Sequence, residues 1–161
     1  MRTVVLTLVM FGAAPVQKPV EIDRTLQRVY GTAIMASDVR QVRLLRLIGA
    51  AAGSDESALT AIENRLLMLR DAVQSGVGEP EATQIAARRK TWTDAWPAGT
   101  DLPALMQQCG MTDRGLDGWF RDDLRIEAHL DQRFGTQGAR REERTAAWIR
   151  DLRQRANLPV K

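Results

Sequence analysis

Asp123 and Glu127 are the residues whose type and spacing come nearest to chemistry: two carboxylates four positions apart, in the middle of the apolar face of one long predicted helix. Such a pair can ligate a metal or share a proton. Either use needs further donors, and His129, the one histidine, lies about 160° from Glu127 and about 120° from Asp123 around the same helix at about 100° per residue. The Glu-x-x-His pairs that di-iron bundles draw from several helices do not occur. The acids are therefore expected to form structural ion pairs with arginines of neighbouring helices, with Arg70 and Arg153 as candidates, and His129 is expected to be an exposed helix residue. No metal site is expected.

Nucleophilic chemistry has no better footing. The chain contains no Gly-x-Ser-x-Gly, and pairing Cys109 with His129 would require a helix end to meet the outer face of the next helix. Gly49 to Gly53 lacks the lysine that would reach a phosphate. The reading is of a protein that is not an enzyme, with no catalytic residues and no cofactor. What remains is aromatic surface: Trp92, Trp96, Trp119 and Trp148 all fall on predicted helices beside apolar neighbours. Most of it belongs in a core. A groove for apolar peptide side chains would draw on Trp92, Trp96, Trp119, Phe120 and Trp148.

These residues require a set of amphipathic helices to position them. Val20 to Val29 alternates loosely and leads through Tyr30-Gly31 into Thr32 to Met35, which predicts a strand or extended arm turning at Gly31. Ser37 is expected to cap a first helix carrying Val39, Val42, Leu45 and Ile48. A second begins near Ser54 or Asp55 with the stripe Leu59, Ile62, Leu66, Leu69 and Val73, and ends at Gly76. Pro80 opens a third, where its missing N–H is harmless, and Asp101 caps a short one reaching Cys109, a small residue expected to be buried. The longest helix starts at the Thr112 cap and stops at Gly135, with Leu116, Trp119, Phe120, Leu124, Ile126, Leu130 and Phe134 on one broad face. A last helix, from about Arg140 to Ala156, buries Trp148, Ile149 and Leu152.

The 161 residues suit a single domain, and 44% hydrophobic residues suffice for a core. Twenty-three basic against 20 acidic side chains leave a net charge of +3, too small an excess to name a partner. The densest basic run, Arg140 to Arg155, is the place where phosphate binding would have to occur. One cysteine cannot close an intramolecular disulfide. The opening MRTVVLTLVMFGAAPVQ has the order of a secretory signal: one positive charge, an apolar core from Val4 to Phe11, then small residues. It is too short to span a bilayer, which takes about 20 apolar residues. The alternative is a buried N-terminal strand. The expected division is a signal peptide over 1–17 and one helical domain over 18–161.

The succession of elements resembles the N-terminal chaperone domain of SurA-type periplasmic chaperones over residues 20 to 136 and the last helix. Ile34-Met-Ala-Ser37-Asp38-Val39 matches that family's helix start after a strand pair. Leu59 to Leu69 matches its apolar second helix, and Gly110-Met-Thr112 followed by Leu116 to Phe134 matches the turn and long helix. Two departures stand out. Tyr30-Gly31 occupies a turn where the family has asparagine, and only Thr136 to Arg140 lies where its parvulin-type isomerase domain would be. Isomerase activity is therefore not carried over. The resemblance implies a mainly α domain with a short N-terminal strand or arm and a C-terminal helix packing back. It further implies a non-catalytic periplasmic protein that holds unfolded or outer-membrane polypeptides. Separately from the resemblance, a homodimer joined through the apolar helix faces is another way for so short a chain to complete its core. The alternative is a cytoplasmic helical nucleic-acid-binding or regulatory protein using the basic last helix.

Overall fold

The computed structural model describes residues 23–48, 53–136 and 138–159; the signal-like segment, Val20 to Ile22 and most of the Gly49–Gly53 run lie outside them. The chain is mainly α. Strands β1 (Thr25–Val29) and β2 (Thr32–Met35) are followed by helices α1 (Ala36–Leu44), α2 (Asp55–Gln74), α3 (Ala82–Asp94), α4 (Leu102–Cys109), α5 (Asp113–Phe134) and α6 (Ala139–Arg155).

The strands form an antiparallel hairpin in which Val29 pairs with Thr32 and Gln27 with Ile34, with an irregularity between Thr25 and Gln27. A two-residue loop of type I′, whose twist matches that of the strands it joins, needs positive φ at both central positions. Tyr30 has φ 47° and Gly31 has φ 88°. Glycine adopts this backbone freely, whereas a side chain there costs about 1 kcal/mol.

Most helix ends are set by residues within four positions of them. The Ser54 hydroxyl accepts the Ser57 N–H at 3.1 Å, the Asp101 carboxylate accepts the Ala104 N–H at 3.0 Å, and the Thr112 hydroxyl accepts the Gly115 N–H at 3.0 Å. Each satisfies a donor with no partner inside its helix. Gly110 ends α4 in the left-handed conformation, with φ 72°. Two expected starts move by a residue or more. Met35, not Ser37, is the cap of α1, because Ser37 is held by Asp23 and the Met35 N–H donates to Asp38 at 2.7 Å. The cap of α3 is Glu81, so Pro80 stands just outside that helix, and Trp96 falls beyond its end.

Two apolar clusters result. The larger joins Val29, Ile34, Val39, Val42, Ile62 and Leu67 to Trp148 and Leu152 of α6, with Leu158 of the tail folded under it. The smaller gathers Leu45, Met106, Cys109, Leu116 and Phe120, with Trp92 and Met111 half-buried against it. Trp119 packs on both. Burying side chains of this size contributes about 1.5–3 kcal/mol each. The C-terminal helix packs back on α2 and α5. The expected stripe of α2 is corrected at Val73, which is 47% exposed. That helix touches the hairpin, α1, α5 and α6, so its buried surface follows its neighbours and includes Ala58, Arg65 and Ala72.

Candidate functional site

The end of α3, the whole of α4 and the first turn of α5 enclose an open groove of about 500 Å³. Its walls are Trp92, Leu102, Pro103, Met106 and Met111, and its rim carries Arg89, Thr93, Gln107, Thr112 and Asp113. The sequence arranges this locally: Asp101 and Pro103 start α4, Gly110 turns the chain sharply, and Met111 and Thr112 follow on the link into α5. The Trp92 indole N–H donates to the Leu45 carbonyl at 2.9 Å. That bond satisfies the ring's one donor, so it presents apolar surface in a fixed orientation. Phe120 and Trp96 stand against Trp92 at centroid distances of 5.9 and 5.8 Å. Arg46 lies over Trp96 at 4.5 Å. At the rim, Arg89 bridges Asp113 and Asp117, the latter at 2.9 Å. The Asp113 hydrogen bond holds Arg89 above its ordinary pKa against the opposing effect of burial, with a further contribution from Asp117.

The five residues expected to form one groove are not brought together. Only Trp92 lines it; Phe120 is buried beneath, and Trp96 supports Trp92 from the side. Trp119 is covered by the Arg65 guanidinium, 3.9 Å from its ring. Trp148 is 5% exposed in the other cluster, between His129 and Phe134 at 5.4 and 5.8 Å. It sits on α6, which packs on α2 and α5 rather than on α3 and α4. The methionines and the Leu102-Pro103 pair carry no motif that marks them in the sequence. Their signal is compositional: flexible thioethers at a short helix's end make an adaptable surface.

Asp123 and Glu127 do meet arginines, but not the expected ones. Asp123 pairs with Arg65, which also donates to the Trp119 carbonyl at 2.7 Å and lies 3.6 Å from Asp122. Glu127 pairs with Arg88 of α3. Burial raises the carboxyl pKa of both Asp123 and Asp122, against the opposing pull of Arg65, and burial likewise lowers Arg65. Arg70 instead stacks on Tyr30, its guanidinium carbon 4.0 Å from the ring centroid. Arg153, 2% exposed, donates to Glu63 at 2.8 Å, to Asn64 at 2.7 Å and to the Pro159 carbonyl at 2.7 Å. A helical wheel fixes an angle about one axis, not the neighbour opposite, and α5 has α3 on one side and α2 and α6 on others.

His129 is also corrected: it is 4% exposed and bonds Asp71 of α2 at 3.0 Å. The reason is that α2 packs along α5, so Asp71 of α2 meets His129 just as Arg65 of the same helix meets Asp123. Cys109 is buried at the end of α4. Among the described residues, no three of His, Cys, Asp or Glu gather into a group that could hold a metal ion, and no helix is long and apolar enough to cross a membrane. On α6, Arg141 pairs with Asp131 and Arg155 with Asp151, both at 2.6 Å. At about 100° per residue, Glu143 and Asp151 fall between the remaining Arg140, Arg144 and Arg150. The arginines of α6 therefore do not form a patch of one sign. Compared with known proteins, the chain matches no family model, no curated protein and no solved structure.

Proposed function

We propose that this protein is a non-catalytic polypeptide-binding module of the chaperone type, which holds unfolded clients by apolar side chains placed in the α3–α4–α5 groove. The observation that carries the reading is the groove's composition: a fixed indole face, two thioethers, a leucine and a proline, open to solvent and rimmed by polar groups. A rigid aromatic beside adaptable methionines suits varied apolar side chains, while Gln107 and Thr93 at the rim are placed to bond a client backbone. The resemblance to SurA-type chaperones supports the same reading. With it goes export to the periplasm, where such a holder meets unfolded polypeptides before they reach the outer membrane. The interspersed acids on α6 weigh against the nucleic-acid alternative, because phosphate binding depends on uncompensated cations.

The test is suppression of aggregation of a chemically unfolded client diluted into buffer with the full chain. Thr93→Trp, which fills the groove from an exposed position, and Met111→Asp, which charges its wall, should each reduce the protection by about tenfold. A wild-type chain that neither delays aggregation nor shifts its tryptophan fluorescence on adding an apolar peptide would remove the proposal.

A further inference from the structure

Away from the groove, the hairpin tip combines features that the fold alone does not call for. Tyr30 holds a left-handed backbone at φ 47° in a turn that asparagine or glycine fills with less strain. It recovers little by burial, since it remains 46% exposed. Among the described residues, Tyr30 and Val73 are the large apolar side chains left exposed. Arg70 of α2 stacks on the Tyr30 ring, and Val73 is one turn further along the same helix face. Arg28 reaches the Gly31 carbonyl at 3.3 Å, bringing a second guanidinium to the tip. Neither Arg28 nor Arg70 meets a carboxylate among the described residues.

Charge is also divided along the chain. Residues 23–48 carry five arginines against two aspartates, whereas residues 53–159 carry fifteen basic and seventeen acidic side chains. Both aspartates of the first segment bond the chain itself, Asp23 to Ser37 and Asp38 to the Met35 N–H, while Arg43 pairs with Asp55 of the second. An aromatic ring, an aliphatic side chain and arginines that meet no carboxylate among the described residues form the composition of an interface centre. A strained, exposed residue points from geometry toward function.

We propose that Tyr30, Arg28, Arg70 and Val73 form a docking point for an acidic polypeptide segment carrying an apolar side chain. The partner's carboxylates accept from the two guanidiniums, and its apolar side chain covers Tyr30 and Val73. The surface is separate from the groove, so this inference and the chaperone reading stand or fall independently.

The experiment is fluorescence anisotropy of a short labelled peptide, with glutamates on both sides of a Leu-Leu pair, titrated with the full chain. A lysine counterpart and phosphatidylglycerol vesicles are the comparisons. The acidic peptide should bind, and should bind more weakly as salt is added. Tyr30→Asn should raise the thermal midpoint by about 2–4 °C while weakening peptide binding by about tenfold or more. Arg28→Gln with Arg70→Gln should weaken binding comparably, and Thr93→Trp in the groove should leave it unchanged. Tyr30→Asn that binds as wild type, or that lowers the midpoint, overturns the proposal. So does equal binding of the lysine peptide, or binding of the vesicles without the acidic peptide, which would assign the surface to a membrane.

Discussion

The two apolar clusters are built differently. The larger is closed by the hairpin, α1, α2 and α6, and the buried Arg153 fastens it by reaching Glu63, Asn64 and the tail carbonyl of Pro159. The smaller rests on α3 and α4, short helices of which α3 buries no residue fully, and its ion pairs lie near solvent. One side is a locked scaffold. The other carries half-buried Trp92 and Met111 beside an open groove.

Three measurements would break or sharpen this contrast. The largest effect should come from Glu63→Ala, which strands the Arg153 charge in the interior. Removing one partner of a buried pair costs about 3–5 kcal/mol, readable as a lower denaturation midpoint, whereas a loss under about 1 kcal/mol would show that the scaffold side is not fastened there. A smaller effect is expected from pH at the boundary between the sides. Burial raises the folded pKa of Asp123, so the folded state binds that proton more tightly than the unfolded chain. The stability contributed by this group is therefore present below the ordinary carboxylate value and lost as pH rises through the raised one. Wild type should lose stability relative to Asp123→Asn across that window, and the opposite slope would mean that Arg65 outweighs burial. The smallest change is expected on the groove side: Glu127→Gln breaks a pair whose side chains are 51% and 36% exposed. Urea denaturation should register no more than about 0.5 kcal/mol.

Features written in neighbouring residues are legible in the sequence itself. Ser54, Asp101 and Thr112 cap the helices that their positions predict, Gly135 ends α5, and Tyr30-Gly31 turns the hairpin. Ser37 shows the limit of this reading, because Asp23, fourteen residues back, takes both its N–H and its hydroxyl. The candidate groove is legible only through Trp92.

By itself the sequence determined the mainly helical class, the order of elements and most of their ends, because caps, turns and amphipathic periods act over a few residues. Only the tertiary structure decided that Asp123 meets Arg65 and Glu127 meets Arg88, that His129 is buried against Asp71, and that Trp92 and Trp148 belong to different clusters. The physical reason is that α5 is packed on more than one side. A helix surrounded in this way has no single outer face to read, and the partner across each face is chosen by how distant segments pack.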